Sequence, residues 1–261
     1  MLAFFRRIRQ SLMVENQSSR FLPYAIGEML LVIVGILIAL QINNWNEFNK
    51  ERDREQAYYC KLHEDVEQDL VKIGDQLEKS EERLAASNRM LALLQQDAFS
   101  PEQVMQEAMQ AISLITFTFR PSVAAFEDLK SSGNLSILLD NDLKTRILAY
   151  YSMIEGMLDV MDTNADGAVR KFYDKPDFAA MGWQHLDPVK DGLDPALVDL
   201  AAIGATTYSD ESFRQRMTSD ALFYVGANSR IKSLYQSVVP EMQSMSQALG
   251  VKCRQEVKGS E

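Results

Sequence analysis

The chain has 261 residues, a net charge of −10, 46% hydrophobic residues, and only 12 Gly and 7 Pro. That length allows one or two domains with a sizeable core, and the scarcity of Gly and Pro favours helices over turn-rich β structure. The charge is uneven: residues 1–42 hold four Arg and two Glu, a net +2, which leaves −12 on the remainder. The main body therefore lacks the basic face that a nucleic-acid partner requires.

The chain opens with "MLAFFRRIRQSLM", in which Phe4, Phe5, Ile8 and Leu12 share one helical face and Arg6, Arg7 and Arg9 turn away. This pattern suits a short helix lying on an anionic membrane surface; the alternative is a frayed basic tail. Tyr24 to Ile42 follows, 19 residues, which as a helix spans roughly 28 Å, close to the hydrocarbon thickness of a bilayer. Met29 to Leu40 contains no polar side chain, whereas a core helix of a soluble protein keeps a polar stripe. Tyr24 and Trp45 flank the stretch as interfacial anchors. A cleaved export signal would be shorter and would end in small residues; "ALQINNWNE" follows instead, so the segment reads as an uncleaved signal anchor.

Orientation follows the distribution of Lys and Arg around the span. Arg6, Arg7, Arg9 and Arg20 precede it, while Lys50, Arg52 and Arg54 follow it among Glu47, Glu51, Asp53 and Glu55. The expected layout is a cytoplasmic basic amphipathic segment over 1–23, a transmembrane anchor helix over 24–42, and an extracytoplasmic helical body over 43–261.

Within the span, Gly27, Gly35 and Ala39 fall close to one face, where small residues let two helices approach. No GxxxG motif is present. Glu28 lies roughly 6 Å deeper than Tyr24 by helical rise. Three roles stay open for it: snorkelling to the headgroups, a hydrogen bond to a neighbouring helix, or a proton relay, the last needing partners that one span does not supply. Gly27, Glu28, Gly35 and Ala39 form the expected membrane-assembly face.

Past the span, Val66, Leu70, Ile73, Leu77, Leu84, Leu91 and Leu94 recur at spacings of three, four and seven. This predicts a long amphipathic helix over about 47–97, continuous with the span or nearly so. Ser80 and Ser87 interrupt the seam, which favours a bundle over a free coiled coil. "SPEQ" at 100–103 is a capping box with Pro at the first turn. "PSVAAFEDLKSSG" reads as a short helix ended by Gly133 in a left-handed cap. Another helix begins at Asp140–Asp142 and runs to about Tyr173. A Pro-rich loop covers 174–195, Asp194 caps a short helix with Pro195 at its start, and Ser209 opens the last helix. Met217, Tyr224, Ile231, Val238 and Met245 repeat there by seven. Pro240 should kink this helix and Gly250 should end it. The fold class expected is all-α, one N-terminal transmembrane helix followed by an antiparallel helical bundle.

Three stretches occur together: "YAIGE", "GILIALQINNWNE" and "FEDLKSSGNLSILLDNDLKTRILAYY". On them the chain resembles a family of bacterial single-pass membrane proteins classed as a domain of unknown function. The resemblance covers roughly residues 1–160. It implies a membrane location and a helical body, and it implies no activity; with the uncleaved span and the Arg-rich flank, the location expected is the bacterial inner membrane. It marks Glu28, Asn43, Asn44, Trp45 and Gly133 as motif positions without assigning them roles.

Signs of chemistry are weak. "DTNADGAVRKFYD" begins as a calcium loop, with Asp162, Asn164 and Asp166 at positions 1, 3 and 5 and Gly167 at 6, but Tyr173 replaces the bidentate acid at position 12. "CKLHEDVE" sets Cys60, His63, Glu64 and Glu67 near one helical face without a second half to complete a metal site. Met153, Met157 and Met161 suit core filling better than a binding groove. Two His, and no G-x-S-x-G, Walker or Rossmann pattern, leave an enzyme unsupported and call for no cofactor.

Two cysteines are too few for a disulfide framework. In an up-and-down bundle Cys60, 18 residues past Ile42, and Cys253, just past the last helix, both fall at the membrane-proximal end. A Cys60–Cys253 bridge is then open to them in an oxidising compartment. The expected role is a non-enzymatic membrane-anchored interaction or sensory module, or else a structural subunit of a larger membrane assembly. The expected partners are the lipid bilayer and either its own copies or other membrane proteins.

Overall fold

A computed structural model describes residues 18–112, 119–175, 183–185, 187–203 and 211–254, and these are helices and connecting turns with no strand among them. Helix α1 (Ser18–Leu94) is followed by α2 (Pro101–Ile112), α3 (Ala124–Ser131), α4 (Asn141–Tyr173), α5 (Asp187–Lys190), α6 (Leu200–Ile203) and α7 (Glu211–Arg254). The opening basic segment and Ser209 lie outside the described residues. Compactness divides the chain after Glu55 into two units.

The described part of the first unit is residues 18–55, all α1. Its apolar stretch has a mean hydropathy of 2.4 with none of the window buried, long and apolar enough to cross a membrane. Leu31 is 72% exposed and Leu37 59%. Such a continuous exposed apolar surface suits lipid. The polar residues after it pair locally: Lys50 with Glu47 at 3.0 Å, Arg52 with Glu55, and Arg52 over the Phe48 ring at 5.1 Å.

The second unit is the bundle. Its longest pairing, α1 with α7, is antiparallel, because partners descend on one helix as they ascend on the other. Cys60 joins Cys253, Glu67 accepts from Ser246, Lys232 pairs with Glu81, Asn228 Nδ2 donates to Ser87 Oγ, and Arg214 donates to the carbonyl of Leu94. Helix α4 also runs antiparallel to α7, through Arg146 to Ser244 and Lys171 to Asp220. Two apolar clusters fill the bundle. One gathers Leu62, Val66 and Ile73 with α3, the first half of α4 and the second half of α7. The other gathers Met90 and Leu94 with α2, the end of α4 and the first half of α7.

The heptad logic holds with a shift of face. Tyr59, Leu62, Val66, Asp69, Ile73, Ser80, Ala86, Ser87, Met90 and Leu94 are the buried stripe of α1, and Leu70, Leu77, Leu84 and Leu91 flank it half-buried. Ser80 and Ser87 do lie in the seam, fully buried, and donate back to the carbonyls of Leu77 and Arg83. The repeat of α7 is the better guide, since all five of its positions are buried.

Two local expectations need correction. Gly250 does not end α7, which continues to Arg254. Its lack of a side chain serves packing instead: a Cβ there would meet His63 Cε1 at 3.1 Å. Asp194 and Pro195 form a turn, not a helix. Asp194 Oδ1 accepts from the Ala196 amide at 2.9 Å as a cap would, yet Leu197 is 83% exposed, so no apolar contact sustains further turns. The calcium-like stretch is uninterrupted helix within α4, in keeping with the helix expected from Asp140–Asp142 to about Tyr173. Asn164 donates to the Val160 carbonyl and Asp162 accepts from Arg120 at 2.9 Å, so no loop gathers these ligands.

Candidate functional site

The most elaborate constellation of the bundle surrounds α3. Its N-cap residue, Val123, has no side chain able to cap, so the first amide groups of the helix need acceptors from elsewhere. Helix α1 supplies them. Asp69, 2% exposed, accepts from the Ser122 amide with both oxygens at 2.9 Å, and Asp65 accepts from the Ala125 amide at 3.3 Å. Lys72 clamps the arrangement, donating to Asp69 at 2.9 Å and to Ser122 Oγ at 2.7 Å. One turn pair of α1, with acids at i and i+4, thus caps a helix remote in sequence.

The far end of α3 is held to the same helix. Tyr58 on α1 donates its hydroxyl to Asp128 at 3.0 Å and accepts from Asn134 Nδ2 at 2.9 Å. Between those two residues the chain turns through Gly133, φ 74°, the left-handed conformation that the sequence indicates. Phe126 and Leu129 drive the apolar face of α3 into the core. The motif "FEDLKSSGN" is therefore a docking segment on α1.

Behind α3, Phe126 stacks on Tyr151 of α4 with centroids 4.0 Å apart, and Tyr150 meets Tyr151 edge-on at 5.2 Å. Neither tyrosine hydroxyl has a hydrogen-bond partner among the described residues, and burial pushes both phenols well above their ordinary range. Burial also raises the Asp65 carboxyl, against the Ala125 amide bond that lowers it. The sign of that shift gives a test. A carboxyl whose folded pKa is raised stabilises the fold only while protonated, and the contribution is lost as pH rises through that pKa. Asp65→Asn keeps an oxygen for the Ala125 amide and removes the buried charge. The variant should unfold at the wild-type temperature or higher at neutral pH, with any gain shrinking toward pH 4. A marked loss of thermal stability at neutral pH would show that the ionised carboxylate is needed.

An open groove of about 400 Å³ lies along α3 and α4, with Pro121, Val123, Phe126, Leu148, Tyr151 and Leu158 on its apolar walls and Glu127, Lys130 and Glu155 on its rim.

The residues singled out from sequence are placed as follows. Gly27, Glu28, Gly35 and Ala39 lie on the exposed part of α1, and a Cβ on either glycine would meet nothing within 4 Å. Trp45 is exposed on the same helix, and the side chain of Tyr24 lies outside the described residues. Cys60 and Cys253 are bridged, with Cα atoms 4.7 Å apart. That bond takes Cys60 out of the "CKLHEDVE" cluster, while His63 and Glu67 face Ser246. Met157 and Met161 are core, and Met153 is partly exposed. Tyr58, Asp65 and Asp69 escaped notice, because two acids four residues apart carry no signal among 37.

These features define a class: among the described residues, a helical protein with one helix long and apolar enough to span a membrane, and a disulfide-closed helical bundle. The chain belongs to a family of unknown function, DUF6090, whose model matches residues 28–159. That range begins at Glu28 in the apolar stretch and takes in α3 and Gly133. No curated protein and no solved structure matches the chain.

Proposed function

We propose that this protein is a non-enzymatic, single-pass interaction or sensory module of the bacterial inner membrane, with its N-terminus in the cytoplasm and its helical bundle outside. The observation that carries the reading is the docking of α3 on α1. The segment that contains the most distinctive body motif rests on Tyr58, Asp65, Asp69 and Lys72 of the helix that also carries the apolar stretch. A partner that moves α3 would act on α1 directly. The Cys60–Cys253 bridge supports the orientation, since disulfides persist in oxidising compartments and are rare in the cytosol. The Arg-rich N-terminal flank agrees.

Topology is tested with reporter fusions after Glu261, using one reporter that works only in the cytoplasm and one that works only outside it. Activity of the cytoplasmic reporter alone would overturn the orientation. The role is tested by affinity purification from native membranes with mass spectrometry of the co-purified proteins and sizing of the solubilised complex. A second reading, a structural subunit of a larger membrane assembly, draws on the open face of Gly27, Glu28, Gly35 and Ala39. Close backbone approach at such a face drives helix pairing where burial from lipid cannot. A discrete large complex of fixed composition would favour this second reading.

A further inference from the structure

We propose that the groove along α3 and α4 docks a basic amphipathic helix of a protein partner; this rests on the interaction-module reading and specifies its surface. The walls have helical spacing on both sides. Val123, Phe126 and Lys130 recur at three and four along α3, and Leu148, Tyr151 and Leu158 follow the same face of α4. Such a pair of faces is where a further helix of a bundle lies, and an amphipathic helix seats its i, i+3, i+4, i+7 side chains in a groove of this kind. Leu148 and Val123 stand 41% and 39% exposed on it, so the groove presents apolar surface to solvent.

Charge selects the occupant. Glu155 on the rim begins a ridge that continues through Asp159, Asp162 and Asp166, at spacings of four, three and four, on the α4 face that carries Leu148. Of these, Asp162 is neutralised by Arg120. Lys130, the cation on the rim, faces Glu127 at 3.9 Å. A partner helix with an apolar stripe bordered by Lys or Arg would meet this ridge with complementary sign. A second copy of this chain is the wrong occupant on the same ground, because its body carries −12.

The test uses the full-length protein in nanodiscs of zwitterionic lipid, empty nanodiscs as background, and a fluorescent synthetic amphipathic helix of Leu and Lys as the probe. Binding read by anisotropy should be saturable for the Lys peptide and absent for the same peptide with Glu in place of Lys. Glu155→Lys should weaken it about tenfold, and Leu148→Asp should abolish it, whereas Leu197→Asp outside the groove should leave it unchanged. Thermal unfolding of each variant establishes that it is folded; if Leu148→Asp is not, Leu148→Ser takes its place. Equal binding of the Lys and Glu peptides, or wild-type affinity in Glu155→Lys and Leu148→Asp, would overturn the proposal. A concentration-dependent dimer dispersed by Leu148→Asp would overturn it in favour of a second copy. Because the assay uses purified protein and a defined peptide, its failure leaves the wider interaction reading to be judged by the native-membrane purification.

Discussion

Replacing Cys60 and Cys253 together by serine, or reducing the bond, should lower the thermal unfolding transition of the bundle by about 5–15 °C, the range expected for a loss of some 2–4 kcal/mol in a body of this size. The bridge joins residues 193 apart in sequence. Loop closure in the unfolded chain gives about 5 kcal/mol as a ceiling for so long a loop, and measured values fall below it. The rest of the joint at this end of the bundle is modest. Gln56 donates to the Cys253 carbonyl at 3.0 Å, Lys252 pairs with Asp140 at 2.8 Å, and Leu249 is buried beside them. Without the covalent link these contacts hold the last turns of α7 against α1 and the start of α4. The effect should therefore appear first as fraying there. Hydrogen exchange in nanodiscs would show faster exchange of the last turns of α7 in the serine variant, with α2 and the start of α7 nearly unchanged. Coincident unfolding of oxidised and reduced protein would mean that the helix packing already fixes this end.

How much of this was legible in the sequence depended on whether a residue's signal was local. The apolar stretch announces itself because Met29 to Leu40 has no polar side chain, and the body's helices announce themselves through periodicity and caps. Asp140 accepts from the Leu143 amide at 2.9 Å, Ser100 Oγ accepts from the Gln103 amide at 3.4 Å, and Gly133 takes a positive φ, as the local residues indicate. Gly250 is ambiguous in the sequence because a glycine near a helix end signals either a cap or a close approach, and only the position of His63 decides between them. The acids that hold the start of α3 are not legible in the sequence. Val123 looks like a poor cap, and the acids that replace it lie some sixty residues earlier on α1. That a groove runs beside α3 follows from how α3 and α4 pack, which no spacing within either helix records.

Asp220→Ala should be among the most damaging single substitutions in the bundle, costing about 3–5 kcal/mol, a large share of the 5–15 kcal/mol typical of a whole domain. Asp220 on α7 sits 10% exposed between two lysines. Lys171 reaches one carboxylate oxygen at 2.8 Å and Lys175 the other, and the side chain of Lys175 is itself only 8% exposed. The surroundings are apolar: Met217 sulfur lies 3.9 Å from the Lys175 ammonium, and Lys171 lies over the Phe223 ring at 5.7 Å. Two cations here share one anion, so the carboxylate is what makes burial of the second ammonium tolerable. Removing it leaves Lys175 without a counter-charge among the described residues, and the ammonium then pulls the α4 terminus toward water. Lys171 can turn outward, being 36% exposed, and its share of the cost should be small. A second variant separates loss of the pair from loss of the charge balance. Asp220→Leu combined with Lys175→Met replaces the ion pair with apolar side chains of similar size, and buried pairs exchanged in this way often leave stability unchanged or raised. The double variant should recover most of the stability that Asp220→Ala loses, as read by thermal unfolding of the full chain in nanodiscs at neutral pH. If Asp220→Ala unfolds within about 1 kcal/mol of wild type, water already reaches Lys175 and the pair is a surface contact in all but position.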